Sequence, residues 1–167
     1  MLHYKQGFLG PYIAAVELPE GKVFTLRIAA VKIEKVESIK DDDEAGRKKD
    51  RLVVYFDGRP RGWLINRTNA ECIVGMFGED AHKWIGKRVS IYRTKVRFGS
   101  KMEDGIRVKG SPDLDRDIVV TVRLPRKKAS TVTMVKTGAS TASDLPPDAP
   151  PAEPVEDNAT PTDGGAE

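Results

Sequence analysis

The residues from Gly62 to Tyr92, GWLINRTNAECIVGMFGEDAHKWIGKRVSIY, constrain this chain more than any other stretch. They read as the end of one strand, a short capped helix, a turn and the start of another strand. Thr68 stands at an N-cap position and Glu71 follows three residues later. That is the spacing of a capping box, in which each side chain satisfies an orphan amide of the first turn. Ala70, Ile73, Val74 and Phe77 recur at i, i+3, i+4 and i+7, one apolar stripe that requires burial. Gly78 follows where a left-handed residue ends a helix. Asn66 and Asn69 flank the helix start, and capping and turn geometry account for both. Cys72 is the only cysteine, which excludes an intrachain disulfide, and its place beside the stripe marks it as a small packed residue.

The flanking segments read as strands. Residues 1–21 are irregular, with Tyr12, Ile13 and Leu18 available to cover an open end of a core. In the first strand, Val23 to about Val36, Phe24, Leu26 and Ile28 share a face before the apolar phase slips to Val31 and Ile33. A strand that changes its buried face partway is bent or bulged. Arg51–Phe56 alternates as a second strand, and Asp57-Gly58 between apolar runs is a hairpin signal into a third, Arg61–Ile65. Lys87–Phe98 forms a fourth strand, Gly99–Gly105 a loop, Ile106–Lys109 a fifth strand, and Ile118–Leu124 a sixth that closes an edge. One short helix between the third and fourth strands of an otherwise β chain is the layout of an OB-fold. The expectation is a mainly β, five-stranded OB-like barrel with a sixth strand, and Trp84 plugs the core.

Charge divides the chain. Residues 138–167 hold seven acidic residues and no Lys or Arg, so the preceding 137 carry all 28 basic residues against the other 18 acidic ones, a net +10. A basic body attracts polyanions, and the acidic tail competes for that surface or recruits basic partners. Domain boundaries follow composition: 1–125 is the barrel with its irregular N-terminal segment. Residues 126–167, rich in Pro, Ala and Thr, lack the apolar content to offset chain entropy and read as a disordered tail. No apolar run approaches the length of a membrane span and no signal peptide is recognisable, so a cytoplasmic protein without membrane contact is expected.

An OB barrel takes single strands across its second and third strands, with bases stacked on aromatic rings and Lys or Arg along the phosphates. Tyr55 is out of phase with the core residues of its strand, and Trp63 neighbours core-phase Leu64, making both candidate stacking platforms. Arg59, Arg61 and Arg67 flank them. Arg93, Lys95, Arg97, Lys101, Arg107 and Lys109 form a basic ladder, opposed only by Glu103 and Asp104 between Lys83 and Lys109. Tyr92 is divided between edge packing and base contact.

The chemistry of enzymes is not recognisable. His3 and His82 are the only histidines and lie far apart, and no nucleophile–base set or phosphate-cradling glycine loop is present. The Asp41-Asp42-Asp43-Glu44 cluster lacks the alternating ligands and terminal glutamate of an EF-hand and reads as a solvated loop. No cofactor or metal is expected. The partner expected is single-stranded DNA, or RNA, bound without strong sequence preference, with replication or recombination proteins recruited through the acidic tail. The tail lacks the apolar tip of bacterial single-strand-binding proteins. The alternative is a non-enzymatic adaptor or structural protein in a protein assembly.

The ordered motifs Gly62-Trp63-Leu64-Ile65-Asn66-Arg67-Thr68-Asn69-Ala70, Phe77-Gly78-Glu79-Asp80, Trp84-Ile85-Gly86-Lys87 through Tyr92, and Gly105-Ile106-Arg107-Val108 carry a resemblance. From about Tyr12 to Lys109 the chain resembles a family of small phage and prophage proteins with an "LNKTNA…GDD…WIGK…LY…IRV" pattern. The resemblance implies an OB-like architecture and, from the place of that family among phage DNA-metabolism proteins, single-strand binding. The chain departs in having Arg67 where Lys is usual, and in its long acidic tail.

Overall fold

The computed structural model describes residues 10–37 and 48–138. The Asp41–Glu44 cluster and most of the acidic tail lie outside those residues. Seven strands and one α-helix make up the described chain. They are β1 (Val23–Glu37), β2 (Lys48–Phe56), β3 (Trp63–Leu64), α1 (Arg67–Phe77), β4 (Arg88–Phe98), β5 (Lys101–Ser111), β6 (Ile118–Val122) and β7 (Ser130–Lys136).

β1 organises the sheet. Its first part, Val23–Arg27, pairs with β4, and the remainder from Ile28 pairs with β2, both antiparallel. The slip of apolar phase seen in the sequence is a bulge between Ile28 and Ala30. Phe24, Leu26 and Ile28 are buried before it, and Val31 packs against the core after it. The strand order is β3-β2-β1-β4-β5-β7-β6, with β5 and β7 parallel.

The expected closed, five-stranded barrel is not what forms. The sheet is open, because β3 is only two residues long and does not reach β5. Two other groups cover the seam. The N-terminal segment enters it, with the Ile13 amide donating to the Gly62 carbonyl at 2.8 Å and Ile13 and Leu18 buried. The second is Asn69 on α1, which is 1% exposed. Its Nδ2 donates to the Ile106 carbonyl at 2.7 Å, and its Oδ1 accepts from the Val108 amide at 3.3 Å. One carboxamide thereby satisfies the edge of β5 where a neighbouring strand would have paired.

That role also decides where α1 begins. Asn66, not Thr68, is the N-cap, its Oδ1 accepting from the Asn69 amide at 2.9 Å. Thr68 falls inside the first turn, and Glu71 pairs with Arg67 at 3.5 Å instead of closing a capping box. Gly78 ends the helix with φ of 94°, and its carbonyl accepts from Trp84 Nε1 at 2.8 Å, which seats the buried Trp84 as expected.

Two segments extend beyond the sequence reading. Lys101–Gly105, expected as loop, continues β5 through a tight turn at Gly99-Ser100, with Val96 opposite Glu103 and Lys95 opposite Asp104. Ser130–Lys136, assigned by composition to the tail, forms β7 because Val132 and Met134 alternate inward and Met134 is fully buried. A Cβ at Gly110 would run into the Val135 carbonyl, so glycine permits the β5–β7 approach. Asp113 locks this corner by accepting from the Arg88 amide at 2.7 Å and its Nη2 at 2.6 Å.

Replacing Asn69 by Leu keeps the volume but leaves the β5 groups unsatisfied. Urea unfolding of Asn69→Leu should show a loss of roughly 2–4 kcal/mol, since each unsatisfied buried polar group costs about 1–3 kcal/mol.

Candidate nucleic-acid interface

The bulge in β1 sets which side chains face outward. Beyond it, Ala30, Lys32 and Glu34 lie on the outer face opposite Tyr55, Val53 and Arg51 of β2. Tyr55 is half-buried there, its ring against Gly62, where a Cβ would run into Val53 Cγ1 at 2.4 Å and crowd the ring at 3.0 Å. Its hydroxyl donates to Glu34 Oε2, and the hydroxyl of Tyr12 donates to Glu34 Oε1 at 3.2 Å. One carboxylate therefore holds two tyrosine rings on the same face, with Lys32 Nζ 5.0 Å from the Tyr55 ring centroid. Such a pair of pinned rings is a preorganised surface for stacking.

The hydrogen bond to Glu34, followed by burial, pushes the Tyr55 hydroxyl up from 10.0 to about 12. Burial, then the charge of Glu34, raises Tyr12 as well. The sequence placed Tyr55 on the outer face, as observed, but gave no place to Glu34 and Lys32 and assigned Tyr12 only to covering the core. The i, i+2 spacing of Lys32 and Glu34 after the phase slip was the available signal.

Trp63, expected as an exposed platform, is a core residue. It is 3% exposed and stacks on Phe56 with centroids 6.2 Å apart. A strand of two residues offers no alternation from which its side can be read, and Leu64 is the more exposed of the pair.

Two of the expected phosphate ligands are structural. Arg61 ion-pairs with Glu17 at 2.5 Å and donates to the Tyr12 carbonyl at 2.7 Å. Arg93 contacts Asp104 at 2.7 Å and Glu20 at 3.4 Å. Together they staple the N-terminal segment into the seam from both sides. Lys95 also binds Asp104, at 2.7 Å, and the Arg93 and Lys95 hydrogen bonds hold the Asp104 carboxyl down to about 2.

The remaining basic residues divide by face. On the outer side of the β4–β5 hairpin, Tyr92 is half-buried opposite Arg107, with Lys109 Nζ 5.9 Å from its ring. Arg107 Nη1 is buried and finds no hydrogen-bond partner among the described residues. Lys101 is exposed at the tip of this hairpin, and Arg97 is exposed on the other side opposite Met102. Arg59 sits half-buried at the β2–β3 turn, and Arg67 is exposed at the start of α1. The six residues expected as one basic ladder thus divide between the two faces of the hairpin. Tyr55 belongs to the β1–β2 patch, and Tyr92, Arg107 and Lys109 form a second patch on β4–β5.

Among the described residues, no three His, Cys, Asp or Glu side chains converge as a metal site. None of the helices described is long and apolar enough to cross a membrane. Compared with known protein families, curated proteins and solved structures, the chain matches none.

The pinned tyrosines titrate late. A raised folded-state value means that the neutral hydroxyls stabilise the fold below pH 10, and that this contribution is lost as pH rises toward about 12. Ultraviolet tyrosinate titration should resolve a late-ionising class in the folded protein. Glu34→Gln should bring Tyr55 back toward 10.0, and an unchanged titration would show that Glu34 does not hold the ring.

Proposed function

We propose that this is a phage-type single-stranded nucleic-acid-binding protein of OB-like architecture, acting on DNA in replication or recombination. The observation that carries the reading is the pair of tyrosines, Tyr12 and Tyr55, pinned by Glu34 beside Lys32 on an outer sheet face. Three features support it. The pairing β3-β2-β1-β4-β5 is the connectivity of an OB barrel opened between its third and fifth strands, with the helix between the third and fourth. A second aromatic–cation patch, Tyr92 with Arg107 and Lys109, lies on the β4–β5 hairpin. The net +10 of residues 1–137 attracts a polyanion.

Bases stack on the tyrosines, and the cations follow the backbone. Anisotropy of a labelled oligo-dT should report binding that weakens with salt, with a log–log slope of about −0.7 per phosphate contact. Tyr55→Ala should weaken binding by about 1–3 kcal/mol while the domain stays folded. Wild-type affinity in a folded Tyr55→Ala protein would remove the platform from the reading.

Thr137 hydrogen-bonds Ser90 at 2.6 Å, two residues along β4 from Tyr92, so the described chain ends near the second patch. Deleting 138–167 should tighten oligo-dT binding several-fold at low salt and leave it unchanged at high salt. Equal affinities at low salt would make the tail an electrostatic bystander.

The second reading is a non-enzymatic adaptor within a phage protein assembly. It draws on β6, the outermost strand of the sheet, which carries Val119 at 69% exposed. Absence of any salt-dependent oligonucleotide binding would favour it.

A further inference from the structure

Where β3 and β5 fail to meet, a cleft of about 180 Å³ remains, lined in part by Ala15, Trp63, Leu64, Asn66, Asp104 and Gly105. The ladder decides which backbone groups face it. The Ile106 carbonyl and Val108 amide point away from β4 to Asn69, so the groups of Asp104, in the same phase, point toward the gap. On the other side the Gly62 carbonyl turns outward to Ile13 and the Ile65 amide turns inward to Leu52. The backbone groups of Leu64 therefore face the gap too. Asn66 uses its Oδ1 as the helix cap, which leaves its Nδ2 as a donor at the lining. Gly105 lines the β5 side as well.

The cleft adjoins the tyrosine platform. Ile13, which also lines it, follows Tyr12, and Trp63 follows Gly62, against which the Tyr55 ring rests. A base displaced from the stack arrives at a rim of donors and acceptors. Asp104 is the distinctive group there. Arg93 and Lys95 each take one lone-pair position of its carboxylate, and both oxygens keep another.

We propose that this cleft is a nucleobase subsite that takes one unstacked base and favours guanine. The inference rests on the single-strand reading above. Single-stranded recognition reads the Watson–Crick edges of splayed bases. Guanine alone presents two adjacent N–H donors on that edge, which match the two oxygens of a carboxylate. Thymine presents one, and adenine and cytosine place an amino group beside an acceptor.

Trp63, one of two tryptophans, reports on the cleft. Deoxyguanosine monophosphate should quench tryptophan emission saturably, and thymidine monophosphate should not. Ala15→Leu fills the cleft without replacing a charged group and should abolish the response with the circular dichroism spectrum retained. Leu64→Phe fills the same space from β3 and repeats the test if Ala15→Leu disturbs the fold. In oligo-dT, one central dG should raise affinity about ten-fold for the wild type, within the range of a good bidentate contact. It should add nothing for the filled variants. Equal quenching by both nucleotides, or a guanine preference that survives filling, overturns the subsite. A guanosine response without oligonucleotide binding would instead overturn the single-strand reading and leave the subsite standing.

Discussion

The structure depends on how the seam between β3 and β5 is satisfied. A strand edge left beside the core must pair its amides and carbonyls, because a buried orphan group costs about as much as a lost hydrogen bond. β3 is too short to serve β5, and the Asn69 carboxamide takes its place at Ile106 and Val108. The N-terminal segment fills the rest, with Ile13 and Leu18 buried. The cleft lies at this same seam, lined by residues of β3, β5 and the N-terminal segment.

The same seam redistributes charge. Arg61 and Glu17 are 11% and 14% exposed, and their ion pair is extended by the hydrogen bonds of Arg61 to the Tyr12 carbonyl and of the Ala14 amide to Glu17. Arg61 and Arg93 hold the segment that brings Tyr12 beside Tyr55, so they position the proposed platform without touching a ligand. Net charge describes the whole body, whereas the seam selects which cations remain for an external anion. On the outer face of β4–β5, Arg107 lies opposite Tyr92 and Lys109 Nζ lies 5.9 Å from its ring.

Much of the fold was legible because it rests on local periodicity. The β1 phase slip, the Asp57-Gly58 hairpin, the apolar stripe of α1 and the sixth strand each appear within a dozen residues. The failures share a cause. Trp63 lies in a strand too short to show a period, and Asn66 and Thr68 both qualify as caps. β7 alternates correctly at Val132 and Met134, but its Ser and Thr content reads as part of the tail. Phase identified Tyr55 as outward-facing, yet nothing in its neighbourhood indicates that Glu34 and Tyr12 hold it.

What the sequence by itself determined is therefore the element set: a β-rich chain with one short helix, a bent first strand and a basic body followed by an acidic tail. These follow from side-chain period, turn chemistry and charge, which act over a few residues or over the whole chain. Only the tertiary structure decided that the sheet stays open, that Asn69 bonds β5, that Trp63 is core and that Arg61 and Arg93 are staples. Each of those outcomes depends on which backbone groups are left unpaired once distant segments meet, and local sequence does not encode that remainder.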